Sequence, residues 1–256
     1  MKKQLAFVSA ALALAASQPV SAATTWTLGP TDPPGILTTT GVANTNGSLI
    51  EVQPDTTNTV WYTGGWGINN LDGCGTGGPA CSGALAGGDN GDLKNTAPEH
   101  AIDNNDRYEM LLIGFNTPTK LTQMDIGYSN TDSDMTVLAY TSNTPFALNT
   151  NLVGKTYSQL TSSGWSVIGN YANVPVDTPQ DINAGGTFSS YWLIGAYNPL
   201  GGSATMTDGN DYVKLFSVTG TGGNTTKSVP EPTSLALVAA GLIGALRVRR
   251  RSRTRV

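Results

Sequence analysis

Short apolar and β-branched runs alternate with polar, turn-forming clusters through most of this chain. Arg107 to Phe115 is an apolar run with Asn and Asp before it and Thr-Pro after it, and Leu121 to Tyr128 alternates around Met124, Ile126 and Tyr128. Met135 to Tyr140, Trp165 to Tyr171, Tyr191 to Tyr197 and Asp211 to Val218 follow at turn-separated intervals. Earlier runs cover Thr25 to Leu28, Gly35 to Thr40, Ser48 to Gln53 and Thr59 to Thr63. Runs this short, rich in Val, Ile, Thr and aromatics, suit the pleated surface of a sheet. A helical period is hard to find, with one turn expected near Tyr157 to Ser162, ended by Gly164. The pattern predicts an all-β domain, a two-sheet antiparallel β-sandwich of jelly-roll-like form. No fixed internal period is present, which disfavours a solenoid or propeller.

Composition sharpens this picture. The 256 residues are 39% hydrophobic and only 12% charged, with 31 glycines, the balance of a turn-rich extracellular β protein. Lys2, Lys3 and six C-terminal arginines make up most of the 14 basic residues, whereas all 18 acidic residues lie between Asp32 and Glu231. The body is therefore strongly acidic, which disfavours nucleic acid and anionic lipid as partners and favours cations.

The irregular stretch from Asn69 to Thr96 holds the two cysteines, Cys74 and Cys81, in a Gly/Pro-rich loop. An even pair in an exported chain is expected to form a disulfide, closing a short loop and contributing about 2–3 kcal/mol. A thiolate metal site lacks partners, because His100 is the only histidine.

Both ends carry addresses. Met1-Lys2-Lys3, an apolar stretch from Leu5 to Ala16 and the small-residue pattern Val20-Ser21-Ala22 form the tripartite plan of a secretory signal peptide, cleaved after Ala22 or Ala23. At the other end, Pro230-Glu231-Pro232 precedes an apolar run from Leu235 to Leu246 and a basic cluster of Arg247, Arg249, Arg250, Arg251 and Arg253. The paired prolines stop the last strand from propagating. The apolar run is expected to form a transmembrane helix, with its arginines holding the tail on the cytoplasmic side. It is short for a permanent span, which suits a transient substrate of a membrane protease.

These last three features, in this order, resemble the PEP-CTERM sorting signal. The resemblance implies processing by an exosortase in a Gram-negative bacterium that makes exopolysaccharide, with delivery to the cell surface or extracellular matrix. Ala97-Pro98-Glu99-His100-Ala101-Ile102-Asp103-Asn104-Asn105-Asp106 before an apolar strand is similar to a block of exosortase-dependent surface proteins. Asp132-Ser133-Asp134 and Gly164-Trp165 also fit that family, which implies a location and no chemistry. The expected organisation is a signal peptide over 1–23, a β domain over 24–220, a linker over 221–229 and the sorting signal over 230–256. The expected partners are the export machinery, signal peptidase, exosortase and exopolysaccharide, with membrane contact through the C-terminal helix before processing.

Candidate chemistry is sparse. Asp103, Asn104 and Asp106, with Glu99 and Glu109 nearby, and Asp132 and Asp134 at a later strand entrance could supply hard oxygen ligands to calcium, at a spacing that is not an EF-hand. The same residue types also turn the chain by binding their own backbone amides, and both readings stand at this point. Asp208-Gly209-Asn210-Asp211 is a weaker case, since it reads as a hairpin turn. Trp66, between Gly65 and Gly67, is a candidate platform for sugar, against the commoner use of aromatics as core. Neither a Gly-x-Ser-x-Gly elbow nor a His-Glu-x-x-His motif occurs, so the expectation is a non-enzymatic protein. Two alternatives remain: a polysaccharide-active enzyme using carboxylates near Asp103 and Asp134, and a calcium-dependent adhesion module.

Overall fold

The apolar runs on either side of Thr117-Pro118 belong to one strand. The structure is a computed structural model, and it describes residues 22–44, 49–52, 59–62, 64–68, 101–105, 107–201 and 206–222. Twelve strands run as β1 (Thr24–Thr27), β2 (Ile36–Asn44), β3 (Ile50–Val52), β4 (Thr59–Tyr62), β5 (Gly65–Ile68) and β6 (Ile102–Asp103), then β7 (Glu109–Thr131) and β8 (Met135–Tyr140). They continue as β9 (Trp165–Tyr171), β10 (Gln180–Asp181), β11 (Ser189–Ala196) and β12 (Asp211–Gly222). Among the described residues helix is confined to single turns at Leu148–Asn151 and Tyr157–Leu160 and two 3-10 turns at Thr161–Ser163 and Pro199–Gly201.

The expectation of two separate sheets is corrected. The described strands form one hydrogen-bonded antiparallel sheet, in the order β4-β5-β12-β7-β11-β8-β9, with the remaining strands pairing off this path. The 23-residue β7 joins its halves. Its first part, Glu109 to Phe115, pairs with β2, and Met110 to Gly114 pairs with β11. Its second part, Thr119 to Thr131, pairs with β12 and touches β10 at Gln123 and Met124. Proline has no amide to donate, so Pro118 falls where the ladder can spare a bond, at the handover from one set of partners to the other. Thr119 lies on both sides of that handover, opposite Ser189 and Gly222.

Alternation along β7 sorts its side chains. Leu111, Ile113 and Phe115 from its first half share a core cluster with Leu121, Met124 and Ile126 from its second, together with Trp192 and Val213. Met110 and Leu112 point the other way, into a second cluster with Leu138, Leu193, Leu160 and Trp165. The first half of the sheet is thus covered on both faces, by the second half and by the helical turns. Gly195 makes one close approach possible, because a Cβ there would collide with the carbonyl oxygen of Glu109.

The turn at Tyr157–Leu160 follows the expected position, and Gly164 ends it at φ 98°. β12 continues to Gly222, past the expected domain end at 220. Among the described residues no helix is long and apolar enough to cross a membrane. The signal peptide, the linker, Cys74 and Cys81 and the whole C-terminal segment lie outside the described residues, except for Ala22 and Ala23 at the start and Thr221 and Gly222 at the end.

Candidate functional site

The register of β12 against β7 builds an acidic junction. Asp211 opens β12 opposite Thr131, the last residue of β7, and the chain then passes through Asp132 to Asp134 before entering β8. Ligand oxygens of Asp132, Asp134 and Asp211 come within 4.8 Å of one another. Asp134 and Asp211 are buried, and Asp132 is half-buried.

Backbone amides and one asparagine hold these carboxylates. Asp211 Oδ1 accepts from the Asp134 N–H at 2.7 Å, and its Oδ2 accepts from the Asn104 side-chain amide at 2.7 Å. Asn104 Oδ1 in turn accepts from the Asp211 N–H at 2.9 Å, so the two residues clasp each other. Asp134 Oδ1 takes the Asn173 N–H at 2.7 Å, and Asn173 reaches it from a left-handed turn at φ 50°. Asp132 Oδ1 takes the Ser133 N–H at 2.8 Å and its Oδ2 takes the Thr207 hydroxyl at 3.2 Å. On Asp211 and on Asp132 Oδ1 each of these bonds uses one of the two lone pairs of its oxygen, so a second direction remains there. The side-chain amide of Asn210 lies 3.5 Å from Asp132 Oδ2, and its buried Oδ1 finds no partner among the described residues.

Confinement raises the proton affinity of the cluster. Burial lifts Asp211 from 3.8 to about 7; hydrogen bonds from the Asp134 N–H and Asn104 oppose the rise, and the negative charges of Asp134 and Asp132 add to it. Burial is also the main cause of the upward shift at Asp134, where the Asn173 amide opposes it and the charge of Asp132 reinforces it. Such a cluster can bind protons or a hard cation, since either relieves the same repulsion.

The structure therefore splits the proposed ligand set. Asp132 and Asp134 are together, Asn104 is one bond behind them, and Asp211, from the stretch that is the weaker candidate in the sequence, is the third carboxylate. Asp103 is buried on β6 and is not one of the three; its N–H donates to Glu109 Oε2 at 3.1 Å and its Oδ1 accepts from the Asn105 N–H. Asp106 lies outside the described residues, as do Glu99 and His100. Trp66 is half-buried on β5 and packs against the first core cluster, with its indole N–H buried and without a partner among the described residues. Pro230, Glu231, Pro232 and Arg247, Arg249, Arg250, Arg251 and Arg253 also lie outside them.

The described region defines a β-rich protein built on one antiparallel sheet, with an acidic junction where β7 ends and β12 begins. Residues 228–251 match the family model of the PEP-CTERM protein-sorting motif, so the chain carries the signal its tail resembles. That motif marks an exported, exosortase-targeted protein of the cell surface or extracellular space, with exosortase as its processing partner. No curated protein and no solved structure matches the chain.

Proposed function

We propose that this is a non-enzymatic surface or matrix protein of a Gram-negative bacterium, exported by the signal peptide over 1–23 and held briefly in the inner membrane by its tail. Exosortase removes the segment over 230–256, and the acidic β domain remains outside the cell in association with exopolysaccharide. The sorting motif at 228–251 carries this reading. The carboxylates favour it over hydrolysis: Asp103 and Asp134 are buried, and each binds a backbone amide. A general acid needs access to a glycosidic oxygen, and these groups face the protein.

Mass spectrometry of the protein from its host, with and without Pro230→Ala plus Pro232→Ala, tests the proposal. The expected wild-type product lacks the apolar run and the arginines, and the double variant keeps both. An intact wild-type C-terminus, or identical processing of the variant, would overturn it.

The convergence of Asp132, Asp134 and Asp211 favours a second reading, a calcium-dependent adhesion module. Titration calorimetry with calcium chloride should give heat that Asp134→Asn and Asp211→Asn each abolish, and the melting temperature should rise with the ion. No heat and no rise would remove this reading.

A further inference from the structure

A recess lies beside Pro118 of β7, apart from the acidic junction. It encloses about 480 Å³, within the roughly 300–1,000 Å³ of small-ligand clefts, and runs from Pro118 to the loop over 141–146 and the start of β11. Its lining holds aromatic, hydroxyl, amide and proline side chains and, among the described residues, no charged one. In a body this acidic, an uncharged recess is a departure that concerns the ligand.

Its walls are built and held. Phe188 is 49% exposed and is the one exposed aromatic side chain among the described residues. The loop that carries it is fixed by Asn183, whose side chain bonds to the Leu121 carbonyl and to both backbone groups of Thr187, each at 2.9 Å. Ser189, the next residue, is buried and donates to the Tyr140 carbonyl at 2.7 Å. Across the recess Phe146 packs on Tyr191 with ring centroids 4.2 Å apart and planes tilted 32°. The same lining carries a hydroxyl chain: Tyr140 Oη to Thr144 Oγ1 at 3.0 Å, and Thr144 Oγ1 to Ser142 Oγ at 2.8 Å. The Gly164 carbonyl accepts from the N–H groups of Thr141 and Ser142 and so anchors that loop.

Flat apolar rings beside reorientable hydroxyls, with no charge, match one chemistry. A pyranose ring offers an apolar C–H face to an aromatic side chain and equatorial hydroxyls that both donate and accept, as Ser and Thr hydroxyls do. An acidic sugar would gain no cation here, and an apolar peptide would make no use of the hydrogen-bonding capacity the hydroxyls have left beyond their bonds to one another. We infer that this recess binds a neutral glycan segment, with Phe188 as the stacking face and Thr144 at the centre of the polar wall. The assignment rests on the exopolysaccharide association proposed above and places it at a site.

Calorimetry on the protein purified from its host tests it, with cellohexaose, maltohexaose and mannohexaose as neutral probes and oligogalacturonate as the acidic one. At least one neutral probe should bind and oligogalacturonate should not; Phe188→Ala should weaken binding about tenfold and Thr144→Val about threefold. Both side chains lie at the surface of the recess, and unchanged melting temperatures would show that the variants remain folded. Absence of binding by all three neutral probes, tighter binding of oligogalacturonate, or equal affinity in both variants would overturn the assignment. Should both variants still retain the host's own exopolysaccharide at wild-type affinity, the groove assignment falls while the surface-protein reading stands.

Discussion

Replacing Asp211 with Asn tests how the acidic junction responds to pH when no divalent cation is present. The folded carboxyl titrates at about 7 against 3.8 for the free group, mainly through burial. Between those values the folded protein holds a proton that the unfolded chain has released, so the free energy of unfolding falls as pH rises. The contribution is fully present below about pH 3.8 and is lost as the pH rises through about 7. A displacement of that size corresponds to roughly 4 kcal/mol. Asp211 is bordered by the exposed Thr207 and Asp208, and screening there reduces the effect to about 2 kcal/mol.

For a domain of about 200 residues that loss lowers the melting temperature by about 4–8 °C. Thermal unfolding followed by circular dichroism, in chelator at about pH 5 and about pH 8, reads the part that falls above pH 5, roughly two-thirds of it or about 3–5 °C. Asn at 211 must turn its amide toward either the Asn104 amide or the Asp134 N–H, both of them donors, so the variant starts lower at pH 5 by about 1–2 kcal/mol. Its melting temperature then changes less with pH than the wild type's, and what slope remains comes from groups such as Asp134 and Asp125, which burial also raises. Parallel pH profiles for the two proteins would refute the assignment of this strain to Asp211.

Gly195→Ala should destabilise the domain by about 1–3 kcal/mol in urea, because the added methyl meets the Glu109 carbonyl oxygen and the backbone of Met110 across the β11–β7 pairing; an unchanged midpoint would show that the two strands separate at no cost. Cys74 and Cys81 in protein recovered from the host should resist alkylation until a reductant is added, and immediate labelling of both would refute the disulfide.

Local signals were sufficient wherever an element is defined by its own residues. The runs Met135 to Tyr140 and Trp165 to Tyr171 are β8 and β9 with the expected ends, and Gly164 stops the helical turn before β9 through a positive φ that few other residues adopt at low cost. Elements defined by a partner were not legible. β5 carries two glycines and β6 and β10 have two residues each, so nothing in their own composition marks them, and they exist because β12, β4 and β7 offer them a ladder. Thr117-Pro118 bounds the run Arg107 to Phe115 in the sequence, since proline usually ends a strand, whereas here Pro118 lies within β7 between two sets of ladder partners, where its missing amide costs no ladder bond.

The site followed the same division. Asp132 and Asp134 are two residues apart and stay together in any fold that keeps the turn before β8, so their pairing was visible in the sequence. Asp211 reaches them across 77 residues, through the alignment of β12 on β7, and a shift of one residue in that alignment would turn its carboxylate to the opposite face. Asn104 depends on the same alignment, since it clasps Asp211 from the position just after β6, which pairs with β12 only through Tyr212 and Val213. The junction therefore reports on the fold as a whole: it is assembled when β6, β7 and β12 are all in register, and a cation or a proton bound there would stabilise that register over any other.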